Sequence, residues 1–299
     1  MQRCPMNDGH HYAMKYIVSF VLLASLFSCK TPRYIYTSAQ PNNPFFTDKG
    51  QARVNGNYSA GGESNNANGE KNRGYDLQAA WSFADGWAAT LALFGRNERD
   101  VFNSQVGNFF KNSVVDYKRR LTEFAVGHYL LLNARPPGEH RPGVGITFNI
   151  YGGLGLGRFS FTDQGADTAN LAYQRSHESK ITKYFFQPSF NFMTGPYFKL
   201  GLVSRITFVH FGNIKTNYAP AEQNYFELDK LPGRTASYFE PAIHAEVSMP
   251  GAEWISFNTG FTLSTSMGIQ DARNLKSRWF SGTIGLGLSL PAIKKASPR

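Results

Sequence analysis

Between residues 50 and 290 the chain alternates two kinds of connection: very short turns such as Thr194-Gly195-Pro196, and long polar loops such as 211–236. The stretches between them alternate apolar and polar residues with a period of two, the mark of strands with one apolar and one polar face. Tight turns on one side and long loops on the other match a transmembrane β-barrel, whose strands must cross hydrocarbon with every backbone group paired.

The alternation is cleanest in 75–83, where Tyr75, Leu77, Ala79, Trp81 and Phe83 oppose Asp76, Gln78, Ala80 and Ser82. The turn Ala84-Asp85-Gly86 leads into 87–96, and the pattern returns at 184–193, beyond Pro196, and at 237–248 and 253–266. With 50–60, 119–131, 143–160 and 278–290, ten strands are counted; eight or twelve also fit. The expected architecture is all-β: an antiparallel up-and-down transmembrane barrel with short periplasmic turns, long extracellular loops (61–73, 97–118, 162–182, 211–236, 267–277) and strands of about 9–13 residues. A soluble β-sandwich is the competing reading, since alternation does not say which face is inside. An even strand number puts both chain ends on the short-turn side.

Two segments echo each other, Phe186-Gln187-Pro188-Ser189-Phe190-Asn191 and Phe239-Glu240-Pro241-Ala242-Ile243-His244. Proline removes a ladder donor, so a β-bulge is expected at both. Trp81, Trp87 and Trp254 beside short turns would form an aromatic girdle.

Upstream, Met14-Lys15-Tyr16 followed by Ile17 to Phe27 has the basic start and apolar core of a signal peptide, ending at the lipobox-like Leu26-Phe27-Ser28-Cys29. The organisation read from this is 1–28 upstream extension and lipoprotein signal peptide, 29–49 lipidated periplasmic tether, 50–290 outer-membrane barrel and 291–299 periplasmic tail. Cys29 is the expected lipidation site. Segment 30–49 is proline-punctuated and reads as a tether or a short plug. Cys4 and Cys29 are the two cysteines, which excludes a disulfide scaffold if one leaves with the leader and the other is acylated. The net charge of +10 is dispersed, gathering weakly at Lys118-Arg119-Arg120 and Lys294-Lys295; this suits solvated or headgroup-level side chains and not nucleic acid.

Cys29, the run Asn43-Pro44-Phe45-Phe46-Thr47-Asp48-Lys49-Gly50, the strand Gly74-Tyr75-Asp76-Leu77-Gln78-Ala79-Ala80 and the two Phe-Gln/Glu-Pro hairpins together resemble a family of small lipid-anchored outer-membrane β-barrel proteins of Gram-negative bacteria. The resemblance spans most of 29–290 and implies the bacterial outer membrane as location. Its motifs are silent on chemistry.

Gly152-Gly153-Leu154-Gly155-Leu156-Gly157 lacks the helix a dinucleotide loop requires, and its alternation runs on into Phe159 and Phe161. The segment around His210 resembles the outer-membrane lipid A deacylases, but Gly212 stands where the nucleophilic serine would be. Inward-facing Lys199, Arg205, Glu240, His244 and Glu246 are expected to form a lumenal charge cluster, either filling a narrow barrel or lining a pore. No metal spacing is evident, and no catalytic residue or cofactor is expected. The leading expectation is a non-enzymatic outer-membrane protein that displays loops or braces the envelope. A narrow channel for small solutes and an outer-membrane lipid-modifying enzyme are the alternatives. Expected partners are outer-membrane lipid and, through the loops, an extracellular protein or glycan.

Overall fold

The computed structural model describes residues 32–61, 70–103, 105–133, 144–267 and 274–290. The expected signal peptide, the expected lipidation site Cys29 and the tail 291–299 lie outside them. The strands are β1 (Arg33–Thr37), β2 (Ala52–Ala60), β3 (Lys71–Ala84), β4 (Trp87–Phe102), β5 (Ser113–Leu131), β6 (Val144–Ala166), β7 (Ala172–Thr194), β8 (Phe198–Thr216), β9 (Thr235–Met249), β10 (Ala252–Leu263), β11 (Thr265–Ser266), β12 (Leu275–Arg278) and β13 (Phe280–Leu290). Helix α1 (Pro220–Tyr225) and a 3₁₀ turn (Leu228–Lys230) lie between β8 and β9. Among the described residues no helix is long and apolar enough to cross a membrane.

Ten strands, β2 to β10 and β13, form one antiparallel barrel, closed where β13 pairs with both β10 and β2. One closed sheet replaces the two packed sheets that a sandwich would require. Alternation then decides the faces: Tyr75, Leu77, Trp81 and Phe83 of β3 point outward, while Asp76, Gln78 and Ser82 are buried in the lumen. Trp81, Trp87 and Trp254 are all outward and exposed near the short turns.

The outer surface changes character along the strands. On β6 the outward positions from Ile146 to Leu156 are aliphatic, aromatic or glycine, and above them come Arg158, Ser160, Thr162 and Gln164. At a rise of about 3.3 Å per residue and a tilt of about 40°, that apolar run is about 25 Å tall. On β7 the outward sequence passes likewise from Phe192, Phe190, Phe186 and Tyr184 to Thr182, Lys180, Glu178 and Ser176. The lumen inverts in step. Beside the apolar band it holds Asn149, Gln187, Ser189 and Asn191; above it, Val115, Tyr117, Phe159, Phe161, Ile181, Val209, Phe211 and Tyr238 form an aromatic core. Burying each phenylalanine there contributes about 1.5–3 kcal/mol relative to leaving it exposed.

This inversion corrects the expected strand lengths. β6 and β7 run for 23 residues each, and more than half of the expected loops 97–118 and 162–182 is strand, while 211–236 is strand at its two ends. Their outward residues are polar because the wall continues above the band, so they read as loop. The turn joining β6 to β7 is only 167–171. The proline bulges are absent as well. Register is unchanged across Pro188 and Pro241, and the missing donor falls instead where a ladder lapses: Gln187 and Pro188 have no β8 partners, and Pro241 sits between the β10 and β11 pairings of β9.

Of the two readings for 30–49, the buried residues 32–46 are the plug. β1 pairs in parallel with β12, which the long connection between β10 and β13 folds inward. Arg33 meets Ser113 and Asp163 at the long-loop end, whereas Phe45 and Phe46 lie beside Arg53, Lys199 and Trp254 at the short-turn end. Residues 32–46 therefore run through the lumen from the long-loop end to the short-turn end before the chain enters β2, and the barrel strands themselves begin at Ala52 and end at Leu290 on the short-turn side, as the even strand number requires. Strand parity does not count a segment that passes through the ring.

Candidate functional site

The lumen is where charged side chains converge, and alternation puts them there: β8 and β9 pair so that Lys199 faces Glu246, Gly201 faces His244 and Arg205 faces Glu240. All five residues expected to cluster point inward, but they divide between two levels. At mid-barrel Arg205 donates through Nε to Glu240 (2.8 Å) and lies 3.2 Å from Glu123, while Lys183 Nζ is 2.6 Å from Glu123 and 3.8 Å from Glu240. Two cations thus share two carboxylates, all with almost no solvent exposure. The hydroxyls of Thr207 and Tyr36 donate to the remaining positions on Glu240.

Nearer the short turns, Glu246 lies between Lys199 (2.7 Å) and Arg53 (2.5 Å), with His244 Nε2 3.2 Å from Arg53. The plug's Phe45 ring covers this group, 5.3 Å from the Arg53 guanidinium and 5.7 Å from the His244 ring. A third network, at the long-loop end, links Glu98 to Arg119 and Arg278, and Arg278 to Asp100 (2.6 Å); the Thr37 hydroxyl donates to Glu98.

Arg53, Glu123, Lys183 and the Glu98 network were missed by the sequence reading. Inward alternation is the signal that selects them, but contact across a whole strand is not visible locally. Glu123, Gly155 and Lys183 form one row across β5, β6 and β7. A Cβ on Gly155 would stand 3.1 Å from Lys183 Cβ and 3.4 Å from Glu123 Cγ, so the glycine gives the lysine its path to the carboxylate. The glycine-rich run of β6 thus serves the inside of the wall. His210, the rim residue named for a lipid-modifying enzyme, points outward with Nδ1 3.3 Å from the Thr235 hydroxyl.

The plug is bound along its length by polar side chains of the wall. Gln78 donates to Gln40 O (2.9 Å), Arg205 to Ala39 O (2.8 Å), Gln187 to Asn42 O (3.0 Å) and Asn191 to Pro44 O (3.1 Å). Asn42 donates in turn to Ala79 O and Leu91 O, and Asn43 to Asn191 Oδ1 (2.6 Å). Extended backbone carries unsatisfied groups at every residue, and the inward Gln, Asn and Arg side chains satisfy them where a ladder does not. Gly201 clears the way for Asn43, whose amide nitrogen lies 2.3 Å from where a Cβ would be.

The long-loop end is closed by a cap. Phe226, Leu228 and Leu231 pack on the aromatic core, and the Arg33 guanidinium sits 4.2 Å from the Phe226 ring centroid. Asp163 gathers this end together, bonded to Arg33 (2.5 Å), Ser113 (2.6 Å), Tyr173 (2.8 Å) and Tyr218 (2.8 Å). Burial pushes the Tyr218 phenol well above its usual value; Arg33 pulls the other way and Asp163 adds to the rise. At the other end a cavity of about 500 Å³ opens among Phe45, Phe46, Arg53, Lys199, Trp254 and Leu290. Among the described residues no group of three or more His, Cys, Asp or Glu side chains is placed to hold a metal ion.

No protein-family model matches this sequence, and no curated protein matches it.

Proposed function

We propose that the chain is a non-enzymatic bacterial outer-membrane barrel, plugged by its own N-terminal segment, that acts through its long-loop rim as a binding or envelope-bracing surface. One observation carries the location: a continuous outward apolar band of about 25 Å, bordered by tryptophans at the short turns and by charged side chains above, is the exterior that hydrocarbon stabilises and water does not. The resemblance to lipid-anchored outer-membrane barrels agrees with it. The rim role rests on the filled lumen and the ordered cap: buried residues 32–46, balanced ion pairs and the Asp163 node make a rigid platform at the long-loop end.

The test joins fractionation, gel mobility and conductance. Outer-membrane material that migrates differently before and after boiling, gives no steady single-channel current in planar bilayers, and takes up an impermeant thiol label in intact cells at Asn170→Cys but not at Asp85→Cys is the expected result. A soluble protein without a heat shift overturns the location. A steady current from the intact chain overturns the sealed-platform role in favour of the channel.

A further inference from the structure

The outer wall carries a row of like charges. Arg120, Arg158 and Lys180 are direct register neighbours across β5, β6 and β7, and all three side chains point outward and are exposed. Side chains directly opposite in an antiparallel pair stand about 5 Å apart, and like charges so placed repel. Among the described residues none of the three forms an ion pair. Arg73 and Lys118 lie in the next row up, flanking Asn97, and Lys71 above them; these line a depression of about 770 Å³ on the same wall. Of the acidic residues nearby, Asp116 is held by Arg99 at 2.6 and 2.9 Å, and Glu178, one outward step above Lys180, stands between Ser160 and Lys215, leaving the cations of this wall in excess.

The height of the row matters as much as its charge. One outward step below it are Thr122, Leu156 and Thr182, and one further step down are Phe124, Leu154 and Tyr184 of the apolar band. The cations therefore sit at the upper border of the band, the level of the headgroups on the long-loop side. Two arginines rooted directly opposite each other, with Cβ atoms about 5 Å apart, can both reach one phosphate, which arginine binds by paired N–H donors. The band below offers acyl chains a surface continuous with that site.

We propose that Arg120, Arg158 and Lys180, with Lys118 and Arg73, bind the phosphate groups of a phosphorylated glycolipid in the leaflet on the long-loop side. This rests on the membrane reading above. The lipid's anion neutralises the row, and the bound lipid becomes part of the wall that the rim stands on.

The test places the full-length protein in nanodiscs of a zwitterionic phospholipid doped with a bisphosphorylated disaccharide lipid, or with the same lipid after enzymatic removal of its phosphates. Lipid retained on the protein is then counted by native mass spectrometry. The intact chain is expected to retain the phosphorylated form over the dephosphorylated one by about ten-fold or more, and a triple variant carrying Arg120→Gln, Arg158→Gln and Lys180→Gln to lose that preference. Lys215→Gln, on the outer wall of β8, is expected to keep it. Equal retention of the two lipids, or a triple variant that discriminates as the parent does, overturns the proposal. Displacement of the lipid by inorganic phosphate at equal concentration overturns the lipid assignment in favour of a free anion. Heat-shifted mobility separates the readings: a protein that enters nanodiscs and shifts on boiling but has no lipid preference refutes this inference alone, whereas failure to insert and shift refutes the membrane reading and this inference with it.

Discussion

Arg205 and Glu240 face each other across β8 and β9, 2.8 Å apart and fully excluded from solvent, and the same arginine holds the plug through Ala39 O. A buried ion pair is costly to form but much costlier to halve, because the remaining charge has no water to return to. Glu123 and Lys183 share the site, so the group behaves as a unit rather than as separate pairs.

Glu240→Ala is expected to destabilise the barrel by about 3–5 kcal/mol by stranding Arg205 and unseating the Tyr36 and Thr207 hydroxyls. Urea unfolding of the refolded protein, followed by tryptophan fluorescence, reads this. A loss below about 1 kcal/mol would show that Glu123 suffices for both cations.

Loosening the plug should open the lumen. Gly201→Leu drives a side chain into Asn43, and the expected outcome is fluctuating single-channel current where the parent has none, with the heat-shifted mobility retained. A variant as silent as the parent would show that the plug accommodates the leucine or that the wall beyond residue 43 seals by itself.

The outward band and the wall above it should respond oppositely to charge. Leu154→Lys is expected to cost about 2–4 kcal/mol in a bilayer-refolded sample, while Gln174→Lys, on the polar extension of β7, changes stability by less than about 0.5 kcal/mol. Equal, small effects at both positions would mean that the band faces water.

The cap has an alkaline limit. The folded-state pKa of Tyr218 is raised above its unfolded value near 10, so the stability it contributes is fully present below that value and is lost as pH rises from there toward the folded pKa. Protection against hydrogen exchange in 217–234, taken relative to the intrinsic base-catalysed rate, should therefore fall above pH of about 10 in the parent, and Tyr218→Phe should flatten that fall. Unchanged pH dependence in the phenylalanine variant would assign the opening to another group.

The alternation of Tyr75 to Phe83 and of Tyr184 to Phe192 is local, since successive side chains on a strand take opposite faces; hairpins, strand count and the inward direction of Lys199, Arg205, Glu240, His244 and Glu246 were legible for that reason. The upper halves of β5 to β8 were not, because there the polar face turns outward and the aromatic face inward, and composition alone makes such strands resemble loops. Only the closed ring decides what meets inside it. Arg33 reaches Asp163 across 130 residues of chain, Lys183 reaches Glu123 over Gly155, and residues 32–46 find their partners on nearly every strand. Alternation gives each strand its faces; closure and register, which depend on all ten strands at once, decided that the lumen is filled, by which segment, and from which end.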